Sequence, residues 1–219
     1  MNFIHEDILG DIELQTITVN GKRLYLTPDG KKYPSITTIL SEYKKESIIE
    51  WRKRVGNAEA NKISTKAARR GTKVHKLCEN YLNNEKNIFD GYTPDNIEMF
   101  KSIQPILDDI EVVYGQEKTL FSHHLKTAGR VDCVAKFRGK KSIIDFKTSS
   151  KFKKKEWIDN YFMQGAGYSV MWEEMTNIPI SRIVIIIAVD QEQPQIFIEK
   201  RDNWIQKFID LRNKYEISE

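Results

Sequence analysis

Two aspartates and a lysine lie close enough in this sequence to handle a phosphodiester. Asp132 sits in one apolar run, and Asp145-Phe146-Lys147 closes the next. If Arg138-Gly139 forms a two-residue turn between the runs, antiparallel pairing sets Asp132 directly opposite Asp145. Opposite residues share a face, with Cβ atoms roughly 4.5–5.5 Å apart. Lys147, two residues beyond Asp145, points to that face, and Val131, Cys133, Ile144 and Phe146 are expected on the other. Two close carboxylates repel unless a proton or cation lies between them, and their oxygens favour a hard divalent ion such as Mg2+ or Mn2+. A neighbouring lysine can hold or deprotonate a water, or steady charge developing on a phosphate. Asp-x-Lys is a common tripeptide, and a surface salt bridge on a hairpin is the competing reading.

The elements around this hairpin read as helices before and after a small sheet. Asn20-Gly21 between the alternating runs of ITVNGKRLYL (Ile17 to Leu26) marks a hairpin, and Pro28-Asp29-Gly30 a second turn. Ser35 is the expected N-cap of a helix opening in YPSITTIL, with Ser47 opening another that carries Ile48, Ile49 and Trp51. From Ser64 to about Leu82 apolar residues recur every three or four positions, which turns His75 inward. Residues 96–112 repeat that period, with a kink expected at Pro105. Glu117 to Ser122, Thr127 to Phe137 and Ser142 to Lys147 read as an antiparallel meander. Trp157, Tyr161, Gln164, Tyr168, Met171 and Met175 mark one face of a helix from about Lys155 to Met175. Ile183 to Val189 has no alternation and reads as a strand covered on both faces. Gln195 to Glu199 is a further strand, leading into an amphipathic helix. The expected class is α/β, a mixed central β-sheet flanked by helices.

Further residues fall in an order that adds specificity. RGTKVH (Arg70 to His75) lies upstream of Asp132, and QGAGY (Gln164 to Tyr168) lies downstream of Lys147. With Asp132 and Asp145-Phe146-Lys147, these resemble the G-x-x-x-H, D, D/E-x-K and Q-x-x-x-Y elements of PD-(D/E)xK nucleases of the RecB-like branch. Within that branch the chain most resembles the mitochondrial genome maintenance exonucleases and their phage relatives, which also carry a PSxT-like segment, here PSIT (Pro34 to Thr37). The likeness runs from about Tyr33 to Tyr168. It implies a restriction-endonuclease-like core, with metal held by His75, Asp132, Asp145 and the Phe146 carbonyl, and catalysis by Lys147 with Asp145 and Asp132. Glu117, Gln164 and Tyr168 take supporting places. Gln164 and Tyr168 project from one helical face at i and i+4. Thr148, Ser149, Lys151, Lys153, Lys154 and Arg70 are the expected DNA contacts, and Lys155 extends that basic run. The cofactor expected is Mg2+ or Mn2+. The implied activity is a DNA exonuclease that hydrolyses phosphodiester bonds from single-stranded ends, in replication, recombination or repair. A restriction- or repair-type endonuclease and an inactive DNA-binding module of the same fold are the alternatives. A decayed site should have lost one of His75, Asp132, Asp145 or Lys147, and all four are present.

Composition bounds the rest. The 219 residues, 40% hydrophobic and 30% charged, suit a single nuclease domain, with an N-terminal hairpin and helices (about 1–63) packed on a catalytic core (about 64–219). Only Cys78 and Cys133 occur, too few for the four-cysteine iron-sulfur cluster of some RecB-like nucleases, so both are expected as buried small residues. There is no Walker A segment, so any helicase or replication partner is expected as a separate polypeptide. No apolar run is long enough to span a bilayer, and the N-terminus resembles neither a secretory signal nor a transit peptide. These features set the expectation of a cytoplasmic protein of bacterial or phage-infected cells, with no membrane partner. The net charge of +4 is weak evidence for a polyanionic partner, but its distribution is not. Between Arg138 and Lys155 lie eight basic residues and one acidic, a local +7, leaving −3 for the remainder.

Overall fold

A computed structural model describes residues 2–19 and 22–217, so the Asn20-Gly21 turn lies outside the described residues. In chain order the elements are β1 (Ile4–His5), β2 (Gln15–Val19), β3 (Lys22–Leu26), β4 (Lys32–Pro34), α1 (Ile36–Val55), α2 (Asn57–Leu82) and α3 (Pro94–Leu107). Then come β5 (Ile110–Ser122), β6 (Thr127–Phe137), β7 (Lys140–Ser149), α4 (Asp159–Thr176), β8 (Arg182–Val189), β9 (Gln195–Lys200) and α5 (Ile205–Ile217). A six-stranded mixed sheet has the order β1-β5-β6-β7-β8-β9, and β2-β3-β4 form a small separate sheet. β5, β6 and β7 are the antiparallel meander, while β8 lies parallel to β7 and needs a crossover, which α4 supplies. This mixed sheet between helices is the arrangement expected of a PD-(D/E)xK-like core.

Both faces of the sheet are buried, and β8 explains why its sequence lacks alternation. Ile183, Ile185 and Ile187 pack with α1, α4 and α5 through Ile36, Phe162, Trp172 and Phe208. Val184, Ile186 and Ala188 pack on the other face with α2 and α3 through Leu77, Cys78, Phe100 and Ile103. Alternation is still there, but each face meets an apolar layer. Cys78 and Cys133 are buried and unbridged, as expected.

Several boundaries differ from the sequence expectation. Helix α1 runs unbroken through Ser47, whose hydroxyl bonds back to the Lys44 carbonyl at 2.9 Å instead of capping a new helix. The turn comes at Gly56, whose φ of 84° only glycine adopts freely, and α2 therefore starts at Asn57, seven residues ahead of Ser64. Helix α3 ends two residues after Pro105, and Ile110 begins β5, because the β-branched run from Ile110 to Val113 pairs with β6. Trp157 lies in a single 3₁₀ turn ahead of α4 and is 55% exposed, so it is not on the buried helix face. The Ser35 cap is as expected, its Oγ accepting from Thr38 N at 3.0 Å, and Ser35 also bridges to Ala128 of β6.

Helix α4 can approach the sheet and α1 closely because QGAGY contains two glycines. A Cβ on Gly167 would lie 2.5 Å from Ile36 Cδ1, and one on Gly165 would run into Ile183 Cγ2. In an open helix Gly→Ala stabilises by roughly 0.5–1 kcal/mol, whereas overpacking a core costs about 1–3 kcal/mol. Gly165→Ala is therefore expected to lower thermal stability, by on the order of 1 kcal/mol net. An unchanged or raised melting temperature would show that α4 is not pressed against β8.

Candidate active site

The hairpin that carries the aspartates has the expected register. Phe137 pairs with Lys140, Val134 with Ile143 and Cys133 with Ile144, so the paired rungs end just before Asp132 and Asp145. The turn residues Arg138 and Gly139 both have positive φ, 47° and 76°, as a tight primed turn needs. At Asp132 the regular ladder stops. Its Oδ2 accepts a hydrogen bond from Phe146 N at 2.9 Å, across the gap where strand pairing would continue. One expectation fails here: Val131 packs with the α1/α4 side of the core, while Cys133, Ile144 and Phe146 pack with the α2/α3 side. Alternation is interrupted at Asp132, next to Glu117 of β5, whose φ of 51° is itself irregular for a strand.

Asp145 is 1% exposed and forms an ion pair with Lys147, whose side chain is 19% exposed. Its Oδ1 has no hydrogen-bond partner among the described residues. Burial raises the Asp145 carboxyl above its ordinary range, opposed by Lys147 and reinforced by Asp132. Burial works against the Lys147 ammonium, but the Asp145 and Asp132 carboxylates outweigh it and hold its pKa above the usual lysine value. The ammonium also stands 5.2 Å from the centre of the Tyr161 ring.

Helix α2 brings His75 to the same place from the other side. Its Nδ1 lies 3.4 Å from Asp132 Oδ2, and its ring meets Phe146 edge-on at 6.2 Å, which fixes its orientation. One turn earlier, Gly71 passes 3.8 Å from Thr148 Oγ1 as measured from a Cβ built on it, and Arg70 Nε donates to that hydroxyl at 3.3 Å. Ligand atoms of His75, Glu117 and Asp132 all lie within 4.8 Å of one another. An imidazole and two carboxylates, beside a buried carboxylate oxygen with no partner, fit a divalent cation of the Mg2+ or Mn2+ kind. Glu117 is thus placed with His75 and Asp132 rather than at a distance, which its position seven residues into a strand does not reveal.

Burial, then the Asp132 and Glu79 charges, raises the Glu117 carboxyl from 4.5 to about 7. A carboxyl that binds its proton more tightly when folded stabilises the fold while protonated. In metal-free protein, stability should therefore fall as pH rises from about 4.5 to about 7. Glu117→Gln is expected to flatten that slope, with melting temperatures measured in EDTA between pH 4.5 and 8. A slope identical to that of the unsubstituted protein would place the carboxyl in water.

Not all expected residues converge. Gln164 and Tyr168 are buried on α4, the helix that also carries Tyr161, with the Tyr168 ring against Gly129, its hydroxyl partnered by Gln164, and the Asp132 and Asp145 charges acting on it. Burial holds the Tyr168 hydroxyl well above the ordinary tyrosine range. The Ser149 hydroxyl is 3% exposed and donates to the Lys151 carbonyl at 2.6 Å, so it shapes the loop after β7. Lys151 is exposed, Lys154 lies 5.4 Å over the Trp157 ring, and Lys155 is paired with Glu199. Lys153 instead faces Arg70 and Lys44, and Lys44 was not marked by any motif.

The chain is similar to Mitochondrial genome maintenance exonuclease 1 of Mus musculus, 32% identical over 118 residues, 54% of this chain and 34% of that protein. The likeness is to an exonuclease. The Homo sapiens protein of the same name is 27% identical over 129 residues, 54% of this chain and 37% of that protein. The chain thus spans about a third of the length of the curated relatives it matches. No protein-family model matches it. A solved structure, that of SSO0001, aligns with a TM-score of 0.32 and 14% identity, over 63% of this chain and 73% of that chain, too distant a likeness to bear on fold or site. Among the described residues no helix is long and apolar enough to cross a membrane.

Proposed function

We propose that this chain is a metal-dependent deoxyribonuclease that hydrolyses phosphodiester bonds from DNA ends, with a preference for single strands. The observation that carries the reading is the convergence of His75, Glu117 and Asp132 beside the buried Asp145–Lys147 pair. The similarity to exonucleases supports the same reading. His75, Glu117 and Asp132 would hold Mg2+ or Mn2+, with Asp145 Oδ1 as a further acceptor. When bound, such an ion polarises a phosphoryl oxygen and makes water more acidic. Asp145 fixes the Lys147 ammonium, which faces the charge that grows on the phosphate in the transition state. Arg70 and Thr148, already joined, offer donors for a flanking phosphate.

The test is to incubate the protein with end-labelled linear and closed circular DNA, single- and double-stranded, in Mg2+, Mn2+ or EDTA. Metal-dependent loss of linear single strands with circles left intact is the expected result. Cleavage of circles would make the protein an endonuclease, and no cleavage of any substrate would overturn the catalytic reading.

A further inference from the structure

The loop from β7 to α4, residues 150–158, leaves the sheet directly after Lys147 and Thr148, and it is built unlike an ordinary connection. Its backbone is clamped: Lys153 N donates to Gln195 Oε1 at 2.7 Å and Gln195 Nε2 donates to the Lys153 carbonyl at 2.9 Å. Helix α1 braces it, with Lys44 Nζ donating to the Trp157 carbonyl at 2.9 Å. Yet this anchored loop leaves Phe152 and Trp157 47% and 55% exposed, a large apolar area to offer water beside a charged site.

Lys155 in this loop is paired with Glu199, but the charges that bear on Lys153 are of one sign. Burial, then the neighbouring Lys44 and Arg70 charges, lowers the Lys153 pKa, and no carboxylate enters among its influences. Arg70 in turn donates to Thr148, the residue after Lys147. Three cations therefore run from the exposed tryptophan to the candidate site. Anions would relieve their mutual repulsion, and a flat apolar surface would cover the rings. Single-stranded DNA presents both, a phosphate at each step and bases whose faces are open, whereas duplex bases are already stacked on each other.

We infer that Trp157, with Phe152, is a base-stacking platform that holds a single strand while Lys44, Lys153 and Arg70 lead its phosphates to the Asp145–Lys147 pair. The inference rests on the proposed function and names the groups that give it strand preference. It is tested in EDTA, where nothing is cut, by titrating the full chain with a fluorescein-labelled thymidine 20-mer and with a duplex of equal length. Trp157→Ala is expected to weaken single-strand binding roughly 10-fold and duplex binding little, and Trp157→Phe to restore most of the loss. Lys153→Gln should reduce the dependence of log affinity on log salt by about one unit. Intrinsic fluorescence should be quenched by the 20-mer in the unsubstituted protein and less in Trp157→Ala, since Trp172 and Trp204 are buried and Trp51 is half-buried. If Trp157→Ala binds the single strand as tightly as the unsubstituted protein, or if Phe and Ala are equivalent at 157, the platform is excluded. Failure of the nuclease reading would show separately, as absence of metal-dependent cleavage despite strand binding.

Discussion

Lys147→Ala should fold less stably and hydrolyse DNA at least about 100-fold more slowly than the unsubstituted protein. Two effects are joined in that result. Asp145 is almost fully buried and its charge is matched by Lys147, so removing the ammonium leaves an uncompensated carboxylate, a loss typically of about 3–5 kcal/mol. Rate and stability can be separated with a second variant. Asp145→Asn combined with Lys147→Met removes both charges, so thermal stability should return toward that of the unsubstituted protein while activity stays lost. Melting temperatures and initial rates on an end-labelled single strand, measured on the same preparations, decide the matter. Full activity in Lys147→Ala would show the lysine to be a structural counter-charge only.

Removal of divalent metal should have an effect at least as large, with activity abolished by EDTA and restored by Mg2+ or Mn2+. Asp132 is the residue through which that dependence should be traced. Its Oδ2 lies between His75 Nδ1 and the Phe146 amide, so the carboxylate is oriented before any cation arrives. Asp132→Asn keeps a side-chain oxygen able to accept from Phe146 but loses the negative charge. It should keep the melting temperature within a few degrees while lowering Mn2+ affinity, read by calorimetry, and lowering the rate on the order of 10³-fold. Retained Mn2+ binding in Asp132→Asn would exclude this carboxylate from the metal centre.

The sequence was legible where a local rule fixed geometry at a distance. The Arg138-Gly139 turn, strand alternation and the Ser35 cap are short-range effects, and the register from that turn runs as expected as far as Cys133 against Ile144, one rung short of the aspartates. What could not be read depended on neighbours from elsewhere in the chain. Trp157 shares the four-residue spacing of Tyr161 and the rest of α4, and only the 3₁₀ turn ahead of the helix frees it. Glu117 has its supporting place through the resemblance and not from its spacing, because its approach to His75 arises from the irregular backbone at that position. Lys44 is half-buried on α1 where it meets the β7–α4 loop, a contact that joins residues 113 positions apart. The extent of α1 was hidden for a simpler reason: serine caps helices and also sits inside them, bonded to its own preceding turn.

The two-residue turn at Arg138-Gly139 has a consequence for how this protein can change. It lies five paired rungs from the candidate site, roughly 17 Å along the hairpin, and touches none of the site residues. It nevertheless acts as a gauge block for them. Adding one residue there would slide the strands and turn Asp145 to the opposite side of the sheet from Asp132, so an exposed, sequence-tolerant-looking tip sets the machining tolerance of the whole centre. Length at that tip is therefore as constrained as the chemistry of the carboxylates, and Arg138 itself is held there by its positive φ and its ion pair with Asp109.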